Sequence, residues 1–279
     1  MSFKDEYTAF KEYARLYPNA CTLLVDTYDT LKSGVPNAIR VFTEMRDAGI
    51  HPKSYGIRLD SGDLAYLSKK ARKMLDEAGF TDAVIAASND LDEFLINDLK
   101  IQGAKIGSWG VGTNLITSKD CPSFGGVYKP SAIQNSDGEF IPKIKISENV
   151  EKITNPGDKT IYRVYDKETG KIRADLICFA DETWNEEDEL LLFDPNATWK
   201  KTRLPGGSYT MKEILLPIFK HGECVYESPS VMEIAQFCKE EKETLWDETK
   251  RLFNPHGVYV DLSRSLYDTK TRLLDEMSK

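Results

Sequence analysis

The sequence predicts an α/β fold: a parallel sheet interleaved with helices over residues 1–130, then a β-rich stretch, then C-terminal helices. Three observations predict it. Four apolar runs each end in small or acidic residues: CTLLVDTYD at Asp29, YGIRLDSGD at Asp63, AVIAASND at Asp90 and KIGSWGVGT at Thr113. The stretches between them read as helices, and alternation of this kind implies parallel strands with all their C-termini at one edge. After about residue 130 the punctuation changes to closely spaced turn signals, which belong to a β-meander rather than to further βα units. In parallel α/β folds, ligands bind at the edge where the strands end.

Taken in order, Phe3, Tyr7, Phe10, Tyr13 and Ala14 stand at helical spacing, and Pro18 stops the run. CTLLVD is a fully apolar strand. Thr30 to Gly49 reads as a helix with an irregular turn at Gly34 and Pro36, an inner stripe of Ile39, Phe42 and Met45, and Gly49 as its C-cap. SYGIRLD is the second strand. Asp60 or Ser61 can cap the next helix, whose Leu64, Leu67, Ala71, Met74 and Leu75 face inward. AVIAAS is the third strand, followed by a helix opened by Asn89 or Asp90. KIGSWG is the fourth and FGGVYKP a fifth. Beyond them, KIKIS, IYRVYD and RADLICFA flank turns at Asn135–Gly138, Asn155–Asp158 and Lys167–Gly170, and helical patterns return from about residue 209.

The expected divisions are a barrel portion at 1–130, a β-rich extension at 131–208 and a helical segment at 209–279. A closed (β/α)8 barrel takes about 250 residues and eight strands. Five strands fit before residue 130, and the chain opens on a helix. The expectation is therefore a partial parallel β/α barrel that lacks its first strands.

The composition excludes several classes. A net charge of −8 leaves no basic surplus for nucleic acid. No apolar stretch is long enough to span a bilayer and no signal-peptide pattern opens the chain, so the expected compartment is the cytoplasm. The five cysteines are scattered with no CxxC pair, which points to neither a zinc site nor a disulfide framework.

Four constellations at the strand ends carry chemistry. Alternation puts Arg58 and Asp60 on one side of their strand, where the carboxylate can accept ribose hydroxyls and the guanidinium can grip an anion. A buried Arg–Asp pair beside a helix cap fits the same residues equally well. In Gly110-Val111-Gly112-Thr113, the glycines let backbone amides approach an oxyanion and the Thr113 hydroxyl adds a donor, although a Gly-rich βα turn is also common as plain structure. Ser88-Asn89-Asp90 reads as site or as helix cap. Asp26-Thr27-Tyr28-Asp29 can hold hydroxyls or magnesium-bound water, or serve as a capped polar loop. His51 precedes a strand and so lies at the opposite rim. His221 and His256 lie beyond the barrel strands, and no histidine forms a metal pair or catalytic triad.

LLVDTYDTLKSGVPNAI, GIRLDSGDL and GVGTNLITSKDCPSFGGVYK together resemble the nicotinate phosphoribosyltransferase family. That resemblance implies an irregular, type II phosphoribosyltransferase-like α/β barrel, usually dimeric, that joins nicotinate to phosphoribosyl pyrophosphate. The products are nicotinate mononucleotide and pyrophosphate, in NAD biosynthesis, with magnesium and with ATP as co-substrate. It places Arg58 near nicotinate and the ribosyl group, and makes Asp60 the candidate catalytic carboxylate beside the ribose. Gly112 and Thr113 would hold the 5-phosphate, with Gly110 a further substrate-binding candidate and Asn89 and Asp90 in the neighbouring loop. Asp26 and Thr27 would border the pyrophosphate, and Asp29 the metal. It also sets Met1 at an internal position of the family pattern, so an N-terminal half carrying the phosphorylatable histidine is expected to be absent or supplied by a partner. A nicotinamide-using relative, or a non-catalytic partner subunit, is the alternative expectation.

Overall fold

The chain folds into two compact units, Met1–Gly125 and Gly126–Lys279, each with most of its contacts inside itself. The computed structural model describes residues 2–149, 152–197 and 199–277. The architecture is mixed α/β.

The first unit runs α1 (Glu6–Leu16), β1 (Ala20–Leu24), a π-turn (Thr30–Gly34), α2 (Val35–Asp47), β2 (Ser54–Leu59), α3 (Leu64–Glu77), β3 (Val84–Ala87), α4 (Glu93–Ile101), β4 (Ser108–Trp109) and α5 (Thr113–Ile116). Its four strands form a parallel sheet in the order β1-β2-β3-β4. The register sets Leu24, Arg58, Ala86 and Ser108 in one row across it. Because side chains alternate, the opposite face presents Cys21, Leu23, Ile57, Leu59, Ile85 and Ala87. These are buried in one core with Ala38, Phe42 and Met45 of α2 and Leu64, Ala71 and Leu75 of α3. Each large aliphatic side chain taken out of water there contributes about 1.5–3 kcal/mol before entropy is counted. The face containing Arg58 stays partly uncovered, with Arg58 and Ser108 exposed and Val84 39% exposed. Gly56 sits where β2 meets β3: a Cβ there would lie 1.9 Å from the Val84 carbonyl oxygen.

The second unit contains a hairpin, β5 (Ala132–Gln134) with β6 (Phe140–Pro142), then β7 (Lys159–Asp166), β8 (Ile172–Phe179), β9 (Leu190–Phe193), β10 (Lys201–Leu204), β11 (Tyr209–Glu213), β12 (Phe219–Lys220), β13 (Glu223–Cys224), α6 (Val231–Thr244), β14 (Val260–Leu262) and α7 (Arg264–Met277). A six-stranded sheet has the order β10-β9-β14-β8-β7-β11. One face buries Val164, Ala174, Leu176, Cys178, Leu190, Leu192 and Tyr209. The other packs Phe193 and Leu262 against Leu266 of α7.

Five expectations need correction. FGGVYKP is not a strand: among the described residues nothing pairs with it, and Phe124 and Tyr128 stand 99% and 97% exposed. KIKIS lies outside the hairpin, whose second strand is Phe140–Pro142 because the Asn135–Gly138 turn pairs Ile133 with Ile141. The cap of α3 is Asp63, whose carboxylate accepts from Tyr66 N, rather than Asp60 or Ser61. The cap of α4 is Asp92, rather than Asn89 or Asp90. Residues beyond 209 are not only helical: Tyr209–Glu213 pairs with β7, and Val260–Leu262 inserts between β8 and β9. These strands are three to five residues long, too short to show a period. The four parallel strands form an open sheet among the described residues; a closed barrel is not seen.

Candidate functional site: the C-terminal edge of the parallel sheet

The edge is assembled from the residues that follow each strand. After β1, Val25 N donates to the Arg58 carbonyl at 3.2 Å and extends the ladder by one residue. Asp26 then turns toward β2, where its Oδ2 accepts from Asp60 N at 2.9 Å and from Ser61 Oγ at 2.6 Å. The following loop is closed by Asp29. Its Oδ1 accepts from Leu31 N and Lys32 N at 3.1 and 2.9 Å, and its carbonyl accepts from Gly34 N at 2.9 Å, the long reach of a π-turn. Gly34 touches the strand end itself, since a Cβ would stand 1.9 Å from the Val25 carbonyl oxygen. From α1, buried Glu6 clamps the same turn: its Oε2 accepts from Ser33 Oγ at 2.5 Å and from Asn37 Nδ2 at 2.9 Å.

The ends of β2 and β3 are joined in the same manner. Ser88 N donates to the Leu59 carbonyl at 3.0 Å, and Ser88 Oγ donates to Asp60 Oδ1. Asp26, Asp60, Ser61 and Ser88 therefore form one hydrogen-bonded row over three adjacent strand ends. One oxygen of each carboxylate, Oδ1 of Asp26 and Oδ2 of Asp60, stays outside that row. Arg58 projects from the uncovered face beside it. The described residues give its guanidinium no ion pair, and it borders a cavity of about 550 Å³ with Phe10, Tyr13, Leu24 and Thr27. The buried Arg58–Asp60 pair that the sequence equally allowed is not formed.

Beyond β3 the backbone takes an unusual path. Asn89 and Asp90 both have positive φ, 96° and 46°, a conformation that Asn and Asp adopt more readily than most residues. Asn114 holds this turn: its Nδ2 donates to the Asp90 carbonyl at 2.7 Å and to the Leu91 carbonyl at 3.3 Å. The two glycines after β4 differ. A Cβ at Gly110 would meet Ser88 Cβ at 3.3 Å, so Gly110 clears space for the serine, whereas Gly112 has nothing within 4 Å. Exposed Thr113 follows it, and its hydroxyl has no partner among the described residues.

Asp29 has its carboxyl held below the usual range, first by the Lys32 backbone N–H and then by the Lys32 charge. Asp29 Oδ1 is engaged as a cap, and its second oxygen lies 3.7 Å from Lys32 Nζ. No group of three His, Cys, Asp or Glu able to hold a metal occurs among the described residues. Magnesium, however, uses one or two carboxylates plus substrate phosphate and water. Oδ1 of Asp26 and Oδ2 of Asp60, which stay outside the hydrogen-bonded row, match that donor set.

His51 lies before β2 at the opposite end of the sheet, lining a separate cavity of about 230 Å³ with Phe42, Arg46, Tyr55 and Phe80. His221 and His256 belong to the second unit. No helix among the described residues is long and apolar enough to cross a membrane. Glu6, Ser33 and Asn114 carried no sequence signal. Each acts through a partner far along the chain or through a backbone carbonyl, which a motif search does not register.

Residues 158–270 match the family model for the nicotinate phosphoribosyltransferase C-terminal domain. The chain is 47% identical to the nicotinate phosphoribosyltransferase of Bacillus subtilis, across 99% of this chain and 55% of that protein. With the enzyme of the same name from Dictyostelium discoideum it shares 36% identity, across 95% of this chain and 46% of that one. The crystal structure of human nicotinic acid phosphoribosyltransferase has a similar fold, with a TM-score of 0.71 at 24% identity over 96% of this chain and 50% of the human one. The chain thus spans about half the length of the curated relatives it matches. Nearly all of this chain thus aligns with proteins named nicotinate phosphoribosyltransferase, and residues 158–270 resemble the C-terminal domain of that family.

Proposed function

We propose that the C-terminal edge of the parallel sheet binds the phosphoribosyl group of phosphoribosyl pyrophosphate. The reaction it serves is transfer of that group to nicotinate, giving nicotinate mononucleotide and pyrophosphate with coupled ATP hydrolysis, a step of NAD biosynthesis. The observation that carries this reading is the row Asp26–Ser61/Asp60–Ser88, with one oxygen of each carboxylate left out of it. Displacement at the anomeric carbon passes through a cationic, oxocarbenium-like state. Carboxylates already oriented beside the ribose stabilise that charge without reorganising. Asp60 faces the ribose in this reading, and the open backbone at Gly112 with the Thr113 hydroxyl takes the 5-phosphate. Arg58 receives the carboxylate of nicotinate. When bound, magnesium neutralises the leaving pyrophosphate, with Asp26 and Asp60 as the groups able to hold it. Asn89 and Asp90 border the phosphate loop, and Thr27 the pyrophosphate side.

Further elements of the reading are a cytoplasmic enzyme and an assembly, either a homodimer or a complex with a polypeptide covering the open sheet face. Calorimetric titration of the chain with phosphoribosyl pyrophosphate and magnesium tests the site. Saturable binding that is lost in Asp60→Asn supports it; absence of binding by the folded chain overturns it.

A further inference from the structure

Asp60 can face a sugar only if its carboxylate is held in one rotamer, and the side chain that holds it comes from another strand. We propose that Ser88 is the positioning residue for Asp60, so that β3 sets how β2 reads the ribose; this rests on the phosphoribosyl reading above. Three observations meet at this serine. Its Oγ donates to Asp60 Oδ1 and leaves Oδ2 unengaged among the described residues. Its backbone N–H is fixed to the Leu59 carbonyl at 3.0 Å, so the hydroxyl is presented from a rigid strand end rather than from a mobile loop. Gly110, just after β4, supplies the clearance, since any Cβ there would crowd Ser88 Cβ at 3.3 Å.

Asp60 is thus pinned from two sides. Its backbone N–H is anchored on Asp26 Oδ2 at 2.9 Å from β1, and its carboxylate on Ser88 from β3. Removing the hydroxyl frees the carboxylate to rotate but leaves both backbone anchors intact. The effect therefore falls on ligand groups that Asp60 contacts and spares those held at Gly112 and Thr113.

The test is calorimetric titration of the 279-residue chain with phosphoribosyl pyrophosphate and magnesium and, separately, with inorganic phosphate, which probes Gly112 and Thr113. Ser88→Ala is expected to weaken the sugar ligand about tenfold, the effect of losing one hydrogen bond to a charged group, and to leave inorganic phosphate within about twofold. Ser88→Thr, which keeps the hydroxyl, is expected to restore the sugar ligand; Ser88→Cys, of similar volume with a weak donor, is expected to fail. Sugar-ligand affinity unchanged in both Ser88→Ala and Ser88→Cys overturns the positioning role and leaves the phosphoribosyl reading standing. Equal loss of both ligands also overturns it, because that marks collapse of the whole edge. No binding of the sugar ligand by the folded parent chain overturns the phosphoribosyl reading itself, and the role of Ser88 with it.

Discussion

Asp26 and Ser61, 35 residues apart in the chain, are joined by a 2.6 Å hydrogen bond from the serine hydroxyl to the carboxylate. The same oxygen takes the Asp60 backbone N–H, so the loops after β1 and β2 are one unit. Replacing Asp26 by Ala leaves two donors unmatched. Asp26→Ala is expected to lower unfolding stability by about 1–3 kcal/mol and to weaken phosphoribosyl pyrophosphate binding. Urea denaturation and calorimetry check both, and unchanged values in each refute the coupling.

Thr113 offers a cleaner separation of binding from folding, because its hydroxyl bonds to no described residue. Thr113→Val is expected to cost about 1–3 kcal/mol in affinity for phosphoribosyl pyrophosphate with no change in melting temperature. Unaltered affinity would remove Thr113 from the phosphate site.

Arg58 is similarly unpaired among the described residues, so Arg58→Lys should leave stability within about 0.5 kcal/mol. Affinity for nicotinate should fall at least several-fold, since an ammonium lacks the planar fork that meets a carboxylate with two hydrogen bonds. Equal nicotinate binding by both forms argues that Arg58 contacts something else.

Gly34 fixes the loop after β1 by contact rather than by dihedral freedom. A methyl there overlaps the Val25 carbonyl, and the backbone has to yield on both sides. Gly34→Ala is expected to destabilise by about 3 kcal/mol and to raise amide exchange across residues 26–34. Wild-type exchange in that segment contradicts the close packing.

In the second unit Asp166 closes the β7–β8 turn. Its carboxylate accepts from the Thr169 hydroxyl and backbone N–H at 2.8 and 2.9 Å and pairs with Arg173 at 2.5 Å. The Thr169 contacts first, then Arg173, hold its pKa at about 2 against an ordinary 3.8. A carboxyl depressed by folding stabilises the protein above its unfolded pKa and loses that stabilisation as pH falls through the folded value. Stability should therefore decline between pH 3.8 and about 2, and Asp166→Asn should flatten that segment. Urea midpoints that fall equally in both forms would assign the acid sensitivity to other carboxyls.

The sequence by itself determined the alternation of strands and helices up to β4, the β7–β8 hairpin and the clustering of Arg58, Asp60, Gly112 and Thr113 at one sheet edge. Those features rest on local periodicity and turn chemistry, which each short window carries on its own. Only the tertiary structure decided the rest. Asp92 rather than Asn89 or Asp90 caps α4, while Asn114 of α5 holds the Asp90 carbonyl. Val260–Leu262 becomes a strand because a gap between β8 and β9 receives it. Ser88 meets Asp60 because β3 lies beside β2 in a single register. Each of these outcomes depends on a contact between residues distant in the chain, and their energies appear only once the strands have paired.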